Sequence, residues 1–152
     1  MLRKLIVSAV GAAALALSAN AIAQGQFGTA AEAKAMLEKA VTEIKANEAA
    51  ALAKFNKGEG GFKDRDLYVF CFDMNARKMT AHVNQSLIGT SPGDIKEKDG
   101  SPLGEKVVAA MKEGTISTVS YNFPKPGTTE PVAKESYVTR VGNQGCGVGY
   151  YK

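Results

Sequence analysis

"TISTVSYNFPKPGTTEPVAKESYVTRVGNQGCGVGYYK", residues 115–152, contains three strand-like runs, TISTVSYNF, PVAKESYVTRV and GNQGCGVGYYK. They are separated only by PKPGTTE and by a turn at Gly142. Consecutive strands joined by short turns pair antiparallel, so this part of the chain reads as a meander. Its last run is unusual. Gly145, Gly147 and Gly149 alternate onto one face, and Cys146, Val148 and Tyr150 onto the other. Glycine weakens a strand interior because it offers no side chain to pack, so a neighbouring element has to cover the glycine row.

Upstream, LYVFCFDMN (67–75) is rich in β-branched and aromatic residues, ARK makes a turn, and MTAHVN (79–84) alternates apolar and polar, which together predict a hairpin. On the second strand Lys78, Thr80, His82 and Asn84 are expected on one face, and Met79, Ala81 and Val83 on the other. QSLIGTSPGDIKEKDG (85–100) is a long polar connector with one helical turn; loops of this length in small domains tend to be functional or mobile. SPLGEKVVAAMKEG (101–114) reads as a short helix with Ser101 as N-cap and Pro102 as first helical residue.

The segment TAAEAKAMLEKAVTEIKANEAAALAKFNKG (29–58) opens with a capping box, Thr29 with Glu32, and stops at Gly58. Leu37, Val41, Ile44, Leu52 and Phe55 fall on one face, interrupted by Glu48. The pattern predicts one helix of about 28 residues, near 42 Å long, which has to project from the domain or run along its full edge. The element order is long helix, two strands, loop and short helix, then three strands, an α+β arrangement.

The chain opens MLRKLIVSAVGAAALALSANAIAQ, with Arg3 and Lys4 before an apolar run and the A-x-A sites Ala19-Asn20-Ala21 and Ala21-Ile22-Ala23. This is the pattern of a cleavable signal peptide over residues 1–23, with a retained membrane anchor as the alternative. The apolar run is shorter than the ~20 residues of an ordinary span. Cleavage after Ala23 leaves 129 of the 152 residues, enough for one domain, 24–152. Removing Arg3 and Lys4 takes the basic residues from 19 to 17 against 15 acidic ones, a net charge of +2 with no basic cluster. Nucleic acid is thereby disfavoured as a partner. Two cysteines, Cys71 and Cys146, in an exported chain suggest one disulfide, or else two buried thiols.

The segments LYVFCFDMNARKMTAHVNQSLIGTS, KDGSPLGEKVVAAMKEGT, VSYNFPKPGTTEPVAKESYVTRV and GCGVGYY resemble, in order, the single Cache domain of the second type. The motifs are D-x-N (Asp73–Asn75), A-H-x-N (Ala81–Asn84), I-G, K-D-G-x-P (98–102), Y-x-x-P-x-P-G (121–127), K-x-S-Y-V (134–138) and a terminal G-x-G. The resemblance covers nearly all of 24–152. It implies a long N-terminal helix (24–58) packed on a PAS-like five-stranded antiparallel sheet (66–152), with the loop–helix segment over it and a small-molecule pocket between. It implies periplasmic sensing and not catalysis. With the chain ending at Lys152, the expectation is a free-standing module that acts through a separate membrane sensor kinase or chemoreceptor. The family's strand order sets the last strand beside the first. Tyr68, Phe70 and Phe72 would then cover the glycine row, and Cys71 and Cys146 would meet as a cross-strand disulfide.

Within this frame the candidate ligand residues are His82, Tyr121, Lys134 and Tyr137. Lys134 heads K-x-S-Y-V on a strand the family sets beside the pocket, where an ammonium suits a carboxylate; the alternative is a solvated edge-strand lysine. Tyr121 and Tyr137 each offer an apolar ring and a polar tip, as pocket walls or as core. His82, the single histidine, contacts ligand or bonds a neighbouring loop; no second ligand at suitable spacing makes it a metal site. Asp73 is expected to cap its turn, and Arg140 to stand at the rim. No nucleophile–base pair, zinc motif or P-loop is present, so no catalytic residue, metal or cofactor is expected. A small organic ligand, carboxylate among the possibilities, is the expected partner. Helix-mediated pairing, as a homodimer or with a receptor, is the competing interaction reading.

Overall fold

The computed structural model describes residues 25–125 and 127–152; the expected signal peptide lies outside the described residues. The elements are α1 (Ala30–Ala46), α2 (Glu48–Lys57), β1 (Lys63–Asp64), β2 (Leu67–Asp73), β3 (Lys78–Ala81), α3 (Leu103–Ala110), β4 (Ser117–Pro124), β5 (Pro131–Val141) and β6 (Gln144–Tyr151). Short 3₁₀ turns at Gln85–Leu87 and Pro92–Asp94 interrupt the long connector. All pairings between strands are antiparallel, with order β1-β2-β6-β5-β4 and β3 on β2. The expected α+β sheet is therefore present, with the two-residue β1 as an additional sixth strand.

The capping box forms as read: Thr29 Oγ1 accepts from the Glu32 N–H at 3.2 Å, and Glu32 Oε2 accepts from the Thr29 N–H at 2.7 Å. The helix it starts is not continuous. Asn47 adopts an extended conformation (φ −162°, ψ 101°), donating its N–H to the Glu43 carbonyl while its side chain accepts from the Ala50 N–H. Asparagine can satisfy its neighbours' backbone groups from its own side chain, so it closes α1 and caps α2 in one step. The break also removes the need for a projecting helix. Leu37, Ile44 and Phe55 are buried against the chain's own sheet, with Val41 and Leu52 partly buried beside them. The stripe proposed for a partner is thus occupied internally. Glu48, which interrupts it, accepts from the buried Gln144 side chain at 2.9 Å.

The two faces of the sheet carry separate cores. Val69, Cys71, Ala81, Cys146 and Val148 pack under α1 and α2. Phe70, Phe72, Met79, Val119 and Val138 pack under α3 and its preceding loop. Across β2 and β6, Phe70 stands opposite Gly147, Phe72 opposite Gly145, and Cys71 opposite Cys146, joined as a disulfide. A Cβ added at Gly147 would meet Phe70 Cζ at 2.4 Å. The expected aromatic cover is thus realised at Gly147 alone; Met74 and Met111 cover Gly145, and Lys134 and Ser136 cover Gly149.

One expected alternation fails. Neighbouring residues Cys71 and Phe72 pair with Ala81 and Met79, leaving Thr80 as a bulge. Met79 and Ala81 consequently lie on opposite faces. Asn56 of α2 holds the bulge, donating to the Thr80 carbonyl and accepting the His82 N–H, each at 3.0 Å. α3 begins one residue later than read, at Leu103, because Ser101 bonds Asp99.

The disulfide closes a 75-residue separation between two fully buried sulfurs. A Cys71→Ser variant is expected to lose about 4 kcal/mol of unfolding free energy, read from denaturant midpoints under oxidising conditions. Unchanged stability would show that the bridge is not a staple.

Candidate functional site

Between the Phe70/Phe72 face of the sheet and the loop–α3 layer lies a cavity of about 70 Å³. Its lining is mostly apolar, with Leu87 and Ile95 from the loop and Leu103 and Val107 from α3 as the cover. Gly104 lets this cover sit close, since a Cβ there would meet the Pro92 carbonyl oxygen at 2.2 Å. The polar groups come from Tyr68 and from three of the expected residues, His82, Tyr121 and Lys134.

Lys134 is 3% exposed and lies on β5, an inner strand between β4 and β6, so it is not a solvated edge lysine. Its stem passes over Gly149, where a Cβ would meet Lys134 Cε at 2.7 Å. Its Nζ sits 4.6 Å from the Tyr151 ring centre, 5.1 Å from Tyr68 and 5.5 Å from Phe123. Ring faces attract a cation, worth on the order of 1–2 kcal/mol when desolvated, which offsets only part of the cost of burial. Among the described residues no hydrogen bond or ion pair reaches this ammonium. Burial pushes its pKa down to about 8, against a small opposing pull from Asp66.

The Tyr121 hydroxyl shares a 2.7 Å hydrogen bond with Ser136 Oγ, and burial pushes its pKa up. Ser136 is two residues from Lys134 and faces the same side of the sheet. His82 Nδ1 accepts the Asn84 N–H at 2.9 Å, which leaves Nε2–H as the ring's donor. Burial, and then the charge of Lys134, push the imidazole down to about 4, so it is neutral at physiological pH. Its ring lies edge-on to Tyr68, 4.8 Å between centres.

Tyr137 is not part of this site. It lies one residue out of phase with Lys134 and Ser136, on the helix face, stacked on Tyr150 at 5.7 Å. Strand alternation forbids Lys134 and Tyr137 from sharing a face. Asp73 caps its turn as expected, accepting the Asn75 and Ala76 N–H groups, which hold its carboxyl below the usual range. Arg140 stays outside the cavity, donating to the Gly142 carbonyl. Phe123, Ser136 and Tyr151 were not singled out by sequence, and Tyr68 was expected over the glycine row, not at the site. Period two from Phe70 and from Lys134 points to Tyr68 and Ser136, whereas Tyr151 enters only through the β5–β6 register.

An antiparallel sheet backed by helices, with a small cavity under a loop–helix cover, defines a PAS-like ligand-binding domain. The chain matches the single Cache domain 2 model over residues 11–150 and belongs to that family. Over 75 residues, 49% of the chain, it is 32% identical to the methyl-accepting chemotaxis protein McpP of Pseudomonas putida, and that match spans 14% of the receptor. A methyl-accepting chemotaxis protein structure from Vibrio parahaemolyticus shares the fold, with TM-score 0.63 and 23% identity over 80% of this chain and 86% of that one. A structure describing carboxylic acid recognition by a Cache chemosensory domain aligns with TM-score 0.58 and 27% identity, covering 78% of this chain and 84% of that one. Cache domains are extracytoplasmic or periplasmic sensory modules, and those of chemotaxis receptors bind small ligands.

The folded chain binds the Lys134 proton less tightly than the unfolded chain, whose lysine keeps its ordinary value of 10.5. Below about pH 8 the penalty of the buried charge is fully present, and it is relieved as pH rises toward 10.5. A Lys134→Met variant is therefore expected to melt higher than the parent at pH 7, with the gap narrowing between pH 8 and 10. Comparing the two proteins cancels the contribution of the buried tyrosines. A gap independent of pH would rule out an uncompensated charge.

Proposed function

We propose that this protein is a periplasmic sensory module that binds a small organic carboxylate in the cavity under α3. The observation that carries the reading is the Lys134 ammonium, buried among aromatic rings with no acidic partner at hydrogen-bonding distance among the described residues. A carboxylate there gains a charge-assisted hydrogen bond, with the His82 Nε2–H and the Tyr121 hydroxyl as further donors. The small volume and apolar cover suit a short tail and leave no place for a second charge. The carboxylic acid recognition described for a relative supports this ligand class.

The module works by binding, not turnover; among the described residues the cavity pairs no nucleophile with a base. Its output is exerted through a separate membrane chemoreceptor or sensor kinase, a reading supported by the chemotaxis receptors among its relatives.

Acetate and propionate are expected to raise the melting temperature by mass action, and propylamine is not. By calorimetry, Lys134→Met should weaken propionate binding roughly 10- to 100-fold, and Tyr121→Phe by roughly fivefold, the scale of a charged and of a neutral hydrogen bond. Affinity should be flat from pH 5.5 to 7 and fall above about pH 8 as Lys134 loses its proton. Equal binding of propionate by the parent and by Lys134→Met would reject the site.

A further inference from the structure

Lys134 is 3% exposed, so an anion reaches it only if part of the cavity wall moves. The cover over the cavity, residues 85–110, is fixed unequally around its margin. On the β3 side it is held by backbone bonds, from the Met79 N–H to the Thr90 carbonyl at 2.9 Å and from the Gly89 N–H to the Met79 carbonyl at 2.8 Å. Beyond α3 the chain is held in the same way, with the Arg140 N–H donating to the Lys112 carbonyl at 3.0 Å. Along β4 the attachment differs. Among the described residues no backbone–backbone bond joins residues 85–110 to that strand, which is an edge of the sheet. The polar links that cross come from side chains: Glu97 Oε2 accepts the Asn122 N–H at 2.9 Å, and the Lys106 ammonium donates to the Ser120 carbonyl. Both bonds are exposed, so water replaces them at modest net cost when they part.

This seam has space on both of its sides. Inside is the cavity, and outside is an open groove of about 480 Å³ that runs past Lys96, Glu97, Asn122 and Pro124. Phe123 lines both. Its ring lies 5.5 Å from the Lys134 ammonium and edge-on to Tyr121 at 6.4 Å, so it forms the partition between the groove and the polar end of the cavity. The turn that carries Glu97 is closed on itself, the Glu97 N–H donating to the Ser101 carbonyl and the Gly100 N–H to the Glu97 carbonyl. Ile95, just before it, accepts the Gly104 N–H of α3 at 2.9 Å. Turn and cover are thereby one piece, hinged where the backbone bonds lie and fastened at β4 by side chains.

We propose that the seam between the Glu97 turn and β4 is the entrance to the cavity, with Glu97 as its latch and Phe123 as the side chain that an entering ligand passes. The proposal rests on the carboxylate reading above for its probe, while the route itself does not depend on the charge of the ligand. A latch bears on the balance between open and closed cover and makes no contact with what lies inside. Loosening it therefore eases entry and exit by the same factor. A residue that touched the ligand would act differently, through dissociation and affinity.

The test is propionate exchange followed by NMR line shapes, which gives association and dissociation rates for the parent and two variants. Glu97→Ala is expected to raise both rates roughly three- to tenfold, the scale of one hydrogen bond, with Kd within about twofold of the parent. Arg77→Gln, which breaks the exposed pair between Arg77 of the β2–β3 turn and Glu105 of α3, is expected to change neither rate. Unchanged rates in Glu97→Ala overturn the proposal. So does an equal acceleration in Arg77→Gln, which sets the opening elsewhere, and so does a rise in dissociation alone, which marks a ligand contact. If propionate does not bind the parent, the carboxylate reading falls and the entrance is decided without ligand. Relaxation dispersion at the Ile95 and Leu103 methyl groups should then show an opening that is more populated in Glu97→Ala than in the parent and unchanged in Arg77→Gln. Equal dispersion in all three proteins overturns the entrance.

Discussion

Phe70 lies over Gly147 across the β2–β6 pairing, closer than any Cβ would permit, and the arrangement of both sheet faces follows from that contact. With no side chain on β6 at residues 145, 147 and 149, neighbouring side chains fold down onto the strand. Phe70 fills the space at Gly147, Met74 and Met111 that at Gly145, and Lys134 with Ser136 that at Gly149. The last of these shapes the candidate site, because only a bare backbone lets a lysine stem lie flat enough to end inside the sheet's own aromatic cluster. The opposite face of the same two strands is rigid by contrast, closed by the Cys71–Cys146 bridge beneath α1 and α2.

A charge placed by these means is held at a cost. Three rings offset part of the desolvation of Lys134. The neutral donors around it are positioned from elsewhere: Tyr121 by Ser136, and His82 by Asn84 and by Asn56 of α2. The helix layer thus reaches through a bulge in β3 to set a cavity residue on the far face. His82 is in this way tied to α2 through Asn56, and the start of α1 is tied to the β1–β2 turn through the Gly28 N–H and Asp66.

Much of this was legible along the chain because it depends on short-range rules. The Thr29–Glu32 capping box is a local pattern, the Asp73 turn is a local pattern, and the facing of Phe70 with Gly147 needs only period two and the strand order that the family resemblance implies. Lys134, His82 and Tyr121 were reached by motif and position. Tyr137 was placed with them although its odd spacing from Lys134 already put it on the other face. The break at Asn47 left a weaker trace, since asparagine within a helical pattern is tolerated as often as it is used to redirect a helix.

By itself, the sequence determined the element order, the antiparallel pairing and the glycine row, which rest on residue type and periodicity, while Lys134 came forward through a family motif that left its burial open. Only the tertiary structure decided that α1 and α2 are separate, that Thr80 bulges, and that Tyr151 stands beside Lys134. Such features depend on groups brought together across 26 to 64 residues of chain, with Gln144 reaching Thr80 and Asn56 reaching His82. Hydrogen bonds of that range depend on the register of strands and the angle of helices, neither of which leaves a mark on the residues that make them.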